Sequence, residues 1–148
     1  MRGSPTRARL AGMDAPRWRP GGPVDWERPG ELWTAGGLHA FVVETTGARS
    51  GLTRRAILGY LEDGPGAWLV IGSKGGAPTN PAWVHNLVAN PRATVVLADG
   101  TRVTATGERL SGTEEERAWD RIAIEAPEYA AYRPRTKRQL PIIRLRAI

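Results

Sequence analysis

The pattern of apolar and polar positions predicts several short strands in the first half of the chain. The stretch "LHAFVVETT" (38–46) is β-branched and apolar, and after the glycine-bounded turn "GARSGLT" the stretch "RRAILGYLE" (54–62) has the same character. "DGPG" then breaks the chain before "AWLVIGS" (67–73), which is apolar enough to be a strand buried on both faces. Three consecutive strands are therefore predicted.

A helix is predicted after the third strand. Asn80 is a candidate cap, and Pro81 suits the first helical position, where its missing N–H costs nothing. An Asn-Pro dipeptide ends the segment. Helical spacing places Trp83, Asn86 and Leu87 on one face.

The second half of the chain adds a hairpin, a second helix and a last strand. In "RATVVLADGTRVTATGERL" (92–110), two β-branched runs flank an Asp-Gly dipeptide, which favours a type I′ turn. Thr113 and Glu116 form a candidate capping box before an amphipathic stretch, and "QLPIIRLRAI" (139–148) closes the chain as a strand. We therefore expect a mainly β fold of the α+β class, an antiparallel barrel of about six strands with peripheral helices.

Composition removes several classes of site. The 148 residues fit one domain and include no cysteine, which excludes disulfides, thiolate metal sites and a cysteine nucleophile and mildly favours the cytoplasm. With only His39 and His85, a three-histidine zinc site is impossible, and no metal site is predicted. No apolar stretch approaches the ~18 residues of a membrane span.

The net charge of +6 is concentrated at the two ends. Residues 1–20 carry five Arg and one Asp, and residues 133–148 carry six Arg or Lys and no acid. We expect residues 1–30 to be a mobile basic arm and residues 31–148 to be the folded domain. Basic ends suit an anionic membrane surface, so peripheral membrane association is a further expectation, but no specific nucleic-acid site is indicated.

The first candidate site is "TTGARSGLTRR". Arg49, Arg54 and Arg55 cluster with Ser50 and Gly51 at a predicted hairpin end. Guanidinium groups beside glycine N–H groups suit a phosphate or carboxylate. A solvated turn explains the same residues, and the motif alone favours that simpler interpretation.

The second candidate site is the loop at 73–76 and the helix after it. Lys74 lies in a Ser-Lys-Gly-Gly stretch that leads into a helix start, which attracts anions. Trp83 could lie against a planar ring and Asn86 could hydrogen-bond a heterocycle, although burial in the core explains Trp83 as well. His85 points away from that face, and a structural or exposed role is favoured for it.

A third candidate is a pair of tyrosines one helical turn apart, Tyr129 and Tyr132. Their phenols could donate a proton to a reduced substrate or form the wall of a pocket. Ordinary amphipathic packing accounts equally well for the spacing.

Taken in order, these motifs resemble the deazaflavin-dependent nitroreductase family. The similarity runs from about Phe41 to Leu145 and includes "TTGARSGLTRR", "SKGG", "NPAWVHNLVANP" and a Y-x-x-Y pair before T-x-R-x-x-P. The resemblance implies the split β-barrel of flavin-type reductases and the use of reduced coenzyme F-420, which has a deazaflavin ring, a phosphate and an oligoglutamate tail.

The resemblance also implies which residues contact the cofactor. They come from the hairpin, the glycine loop and the helix, namely Arg49, Ser50, Gly51, Arg54, Ile71, Gly72, Ser73, Lys74, Gly75, Gly76, Ala82, Trp83, Asn86 and Leu87. Tyr129 and Tyr132 would then border the acceptor or deliver its proton.

The function implied by the resemblance is hydride transfer from reduced coenzyme F-420 to a quinone, nitroaromatic or activated enone. The alternatives are an FMN-binding split-barrel oxidoreductase and a non-catalytic carrier of an anionic cofactor. We expect a small-molecule acceptor as partner, a monomer or homodimer, and a cytoplasmic location.

Overall fold

The computed structural model of the protein describes residues 22–34, 36–73, 79–135 and 139–148. The described residues form seven strands, three α-helices and a short 3-10 turn. In chain order these are β1 Leu32–Trp33, β2 His39–Thr46, β3 Thr53–Glu62, β4 Ala67–Ile71, α1 Ala82–Ala89, β5 Arg92–Val96, β6 Arg102–Arg109, α2 Gly112–Glu125, α3 Pro127–Ala130, the 3-10 turn Arg133–Arg135 and β7 Ile142–Ala147.

Six of these strands close into an antiparallel barrel. The order around it is β2, β3, β4, β7, β6 and β5, and β5 pairs back with β2 through Val42↔Val96 and Glu44↔Thr94. The two-residue β1 lies beside β2, outside the closed ring. The predicted antiparallel barrel of about six strands with peripheral helices is confirmed.

Strand alternation separates an inner from an outer face. Inside the barrel, the Phe41 ring stacks on Tyr60 at 4.3 Å between centroids and meets Trp68 edge-on at 5.5 Å. Helix α1 adds Trp83 and Leu87 to this interior cluster. Because α1 buries its apolar face there, it covers one end of the barrel.

The outer face is covered by two other parts of the chain. Helix α2 packs Trp119 and Ile122 against β4 and β7. The segment before β1 packs Val24 and Trp26 against Val42. The mobility expected for residues 1–30 stays a prediction, and residues 1–21 of that arm lie outside the described residues.

Both helix starts differ from their predicted caps. Helix α1 begins at Ala82, with Pro81 in the cap position at ψ 152° and no capping side chain. Helix α2 begins at Gly112, whose φ of 58° lets the chain turn into the helix before Thr113. The predicted capping box is therefore absent, and Ser111 holds the cap position.

The β5–β6 hairpin also differs from the predicted type I′ turn. The Gly100 N–H donates to the Leu97 carbonyl at 2.9 Å, which places Ala98 and Asp99 at the centre of the turn. Gly100 follows with φ 90°, and Asp99 accepts a hydrogen bond from the Thr101 N–H. This is a three-residue loop in which the glycine follows the turn.

A buried carboxylate joins three strands on the outer face. Glu44 of β2 is only 8% exposed and accepts hydrogen bonds from Arg102 of β6 and, at 3.1 Å, from Arg55 Nε of β3. Arg102, and to a lesser extent Arg55, holds the pKa of Glu44 below its ordinary value of 4.5 although burial acts to raise it.

We expect Glu44→Gln to destabilise the fold at pH 7 by about 1–3 kcal/mol, since the two guanidinium groups lose their ionised partner. A carboxylate with a lowered folded-state pKa contributes stability above 4.5 and loses that contribution as the pH falls through its folded-state pKa. Urea unfolding at pH 7, 5 and 3.5 should show wild type and variant converging at the acid end. Glu116→Gln, at an exposed position of α2, is the control; a pH-independent difference would contradict the ion-pair explanation.

Candidate functional site

A cleft of about 720 Å³ opens between the β2–β3 hairpin and helix α1. The hairpin side is formed by Thr45, Gly47, Ala48, Arg49, Ser50, Arg54, Arg55 and Ala56. The helix side is formed by Ala82, Trp83, His85 and Asn86. The structure thus brings together two of the three candidate motifs of the sequence.

The hairpin loop is compact because its backbone closes on itself. The Gly47 N–H donates to the Leu52 carbonyl at 2.8 Å, and the Gly51 N–H donates to the Gly47 carbonyl at 2.9 Å. Gly51 has φ 72°, which favours glycine. A Cβ at Gly47 would lie 2.5 Å from Ser50 Oγ, so the tight turn also requires a glycine there.

Carboxylate pairing distinguishes the arginines of the hairpin. Arg54 pairs with Thr45 across the strands and reaches Ser50 Oγ at 3.4 Å, within the cleft. Arg55, the next residue, also lines the cleft, but its guanidinium is held by Glu44 at 3.1 Å and reaches Glu27 at 3.5 Å. Among the described residues, no carboxylate pairs with Arg49 or Arg54, and no Asp or Glu lines the cleft. The cleft therefore favours an anionic ligand.

The helix side combines an aromatic wall with a buried amide. Trp83 is 8% exposed and belongs to the barrel interior, and it also lines the cleft, so its contact with a planar ring stays a prediction. Asn86 is buried and hydrogen-bonds the hairpin at Thr45 and Ala48. A planar group carrying an anion would find an indole and two guanidinium groups in one cleft.

The other described residues proposed for cofactor binding do not line this cleft. Ile71, Gly72 and Ser73 are buried, and a Cβ at Gly72 would lie 2.8 Å from the side chains of Val84 and Pro141. Leu87 is a core residue of the barrel. Gly51 belongs to the hairpin loop but is not among the lining residues, and Lys74, Gly75 and Gly76 lie outside the described residues.

The tyrosine pair packs on the outer face of the barrel. Tyr129 is buried against Gly36 and Gly59, its hydroxyl is hydrogen-bonded to Thr34, and burial raises the pKa of its phenol. Its ring meets Tyr132 edge-on at 5.7 Å. Neither tyrosine lines the cleft.

Five cleft residues were not predicted from the sequence, namely Thr45, Gly47, Ala48, Ala56 and His85. Thr45 and Ala48 stand inside the quoted hairpin motif, but nothing in it indicates that they contact a helix. His85 is exposed, as expected, but it faces the hairpin across the cleft. Helical spacing identifies the outward face of α1 without showing which segment lies opposite it.

Two structural features are absent from the described residues. No group of three or more His, Cys, Asp or Glu side chains is placed to bind a metal ion. None of the helices combines the length and the apolar character that crossing a bilayer requires.

Comparison with known proteins gives consistent matches. The sequence profile of the family described as "F420H(2)-dependent quinone reductase" matches residues 28–146. An "F420H(2)-dependent quinone reductase" from Mycobacterium tuberculosis is 34% identical over 106 residues, which is 70% of this chain and 70% of that protein.

Two solved structures agree with those matches. One, described as an F420-H2 dependent reductase, is 33% identical with a TM-score of 0.63 and covers 72% of this chain and 92% of its own. Another, described as a domain-swapped dimer, is also 33% identical with a TM-score of 0.63, covering 72% and 78%.

We expect pyrophosphate to raise the thermal unfolding temperature of the wild type, because a ligand that binds only the folded state stabilises it. In Arg49→Ala/Arg54→Ala the shift should disappear, since both cleft guanidinium groups are gone. Differential scanning fluorimetry over a range of pyrophosphate concentrations measures the effect. Arg117→Ala removes an exposed arginine of α2 and should keep the shift; an equal shift in all three proteins would place the anion elsewhere.

Proposed function

The chain belongs to the F420H(2)-dependent quinone reductase family, and from that membership we propose that it transfers a hydride from reduced coenzyme F-420 to a quinone or related acceptor. The observation that carries the proposal is the cleft itself. It places Arg49 and Arg54 opposite Trp83, within the part of the chain that the family profile matches.

The residues of the cleft fit this coenzyme. Arg49, Arg54 and Ser50 offer charged and neutral donors suited to its phosphate or glutamate tail. Trp83 offers an aromatic surface suited to its planar ring. Lys74, in the loop that leads to α1, adds a further cation to the proposed set, and its placement stays a prediction.

Little acid–base machinery is required of the protein. When bound, the reduced deazaflavin supplies the hydride. The chain's own residues must therefore hold and orient the coenzyme and the acceptor, and must exclude water. Arg49 and Arg54 anchor the anionic part, and the indole of Trp83 limits where a ring can rest. The backbone of the hairpin loop is held by its own hydrogen bonds. The loop that carries Arg49 is therefore largely formed before the coenzyme binds.

The alternatives to this function gain no support from the comparisons. The family assignment indicates coenzyme F-420 and gives nothing in favour of FMN. A carrier role gains no support from the family description, which names a reductase. One solved relative is described as a domain-swapped dimer, which supports a homodimer here, and sedimentation velocity would test that.

We expect the purified protein to bind coenzyme F-420 in a fluorescence titration and to oxidise its reduced form with menadione as the quinone. Arg54→Ala should raise the KM for the reduced coenzyme about tenfold, while kcat stays within about twofold, because Arg54 contacts the anionic part rather than the reacting carbon. Arg117→Ala is the control. Absence of binding at micromolar coenzyme, or a change confined to kcat, would contradict the proposal.

The tyrosine pair is proposed to border the acceptor from the side of the β4 end. Ile71, the last residue of β4, belongs to the same apolar cluster as Tyr129. Tyr129 is buried, whereas Tyr132 is only half-buried and so more accessible to an acceptor. Tyr132 is therefore the better candidate for a hydrogen bond to the acceptor oxygen.

We expect Tyr132→Phe to lower kcat about tenfold with unchanged affinity for the coenzyme, since general acid catalysis contributes at the reacting atoms. Tyr129→Phe should instead lower thermal stability, because it removes a buried hydrogen bond. Steady-state kinetics and fluorescence titration separate the two effects. An unchanged kcat in Tyr132→Phe would show that solvent delivers the proton.

A further inference from the structure

Asn86 is the one polar residue among the buried positions of helix α1. It is 6% exposed, and its neighbours on the buried face are Trp83, Val84 and Leu87. A primary amide in such surroundings is stable only if its donors and acceptor find partners. Both of its known partners lie in the β2–β3 hairpin, far away in sequence.

The two hydrogen bonds fix the orientation of the amide. Asn86 Oδ1 accepts from the Ala48 N–H at 3.0 Å, and Asn86 Nδ2 donates to Thr45 Oγ1 at 3.0 Å. A backbone N–H can only donate, so the atom facing Ala48 must be the oxygen. The amide thus holds the chain on both sides of Gly47, where β2 ends and the loop begins.

Each contact point of Asn86 is one step from a cleft cation. Ala48 directly precedes Arg49, and Thr45 is paired across the strands with Arg54. Side chains of directly opposed strand residues lie on the same face of a sheet. A shift of the loop at Thr45 or Ala48 would therefore move both guanidinium groups relative to Trp83.

We propose that Asn86 is a positioning residue that secures the hairpin to α1, and that it contributes to coenzyme binding through Arg49 and Arg54 rather than by touching the ring. This differs from the sequence-based expectation that Asn86 hydrogen-bonds the heterocycle, and it rests on the proposed function. Its amide oxygen and one amide hydrogen are already used within the protein.

The structural half of the proposal is tested by amide hydrogen exchange. In Asn86→Ala, the Ala48 N–H loses its acceptor, and we expect its exchange to accelerate at least tenfold relative to wild type. Asn90→Ala changes an exposed residue at the end of the same helix and should leave that amide protected. Unchanged protection in Asn86→Ala would overturn the proposal.

The functional half is tested by a double-mutant cycle on coenzyme F-420 affinity. Asn86→Ala alone should weaken binding about tenfold. In the Arg49→Ala/Arg54→Ala background, the same change should weaken it less than twofold, because the groups that Asn86 positions are gone. A full tenfold loss in both backgrounds would show direct contact with the coenzyme and would overturn the proposal.

A matched pair at Thr45 guards against a folding defect in Asn86→Ala. Thr45→Val removes the hydroxyl that Asn86 Nδ2 donates to, while Thr45→Ser keeps it. Affinity should fall more in Thr45→Val than in Thr45→Ser, and equal losses would count against the proposal.

The proposed function and this inference fail in different ways. If wild type binds pyrophosphate but not coenzyme F-420, the proposed function is wrong, and the positioning role is then read from pyrophosphate-induced stabilisation in Asn86→Ala and Asn90→Ala. A smaller shift in Asn86→Ala than in Asn90→Ala would still support the positioning role, and equal shifts would overturn it. If neither anion binds the wild type, the positioning role falls as well.

Discussion

The arrangement of the molecule depends on the closure of the barrel between β2 and β5. Pairing β5 with β2 puts β4 and β5 on opposite sides of the ring, since two strands separate them in either direction, β7 and β6 on one side and β3 and β2 on the other. The chain that connects β4 to β5 must therefore cross an open end of the barrel. Helix α1 lies in that connection, so its apolar face fills the end and its other side meets the β2–β3 hairpin.

Carboxylate pairing determines which charges of the cleft are available to a ligand. Arg54 and Arg55 both line the cleft, but Arg55 is engaged by Glu44, which also engages Arg102. Arg49 and Arg54 have no carboxylate partner among the described residues, so the positive field of the cleft comes mainly from these two side chains.

The parts of the fold that depend on local pattern could be predicted from the sequence. The strands are set by β-branched runs and the helices by apolar spacing, and both were found close to their observed bounds. The hairpin arginines and Trp83 were also identified. The predictions of the helix caps and of the Asp-Gly turn were wrong. The backbone conformation of a single residue, such as Gly112 with its positive φ, is enough to shift the boundary of an element.

The role of Asn86 was beyond prediction for a different reason. Its partners Thr45 and Ala48 are 41 and 38 residues away, and no periodicity in α1 indicates them. A polar residue on an otherwise apolar helix face was the visible signal, and it is compatible with a ligand contact or an internal one. The choice between a ligand contact and an internal contact depends on the path of α1 across the barrel end, which the sequence does not show.

The proposed anion site on an exposed loop has a thermodynamic consequence. The side chains of Arg49 and Arg54 are exposed, so binding must order two long side chains at a cost of roughly 0.5–1.5 kcal/mol each. If the loop backbone also had to be ordered, that cost would rise with every residue fixed. The internal hydrogen bonds of the loop fix its shape, and the Asn86 amide fixes its position against α1. A single buried amide can therefore govern coenzyme affinity without touching the coenzyme.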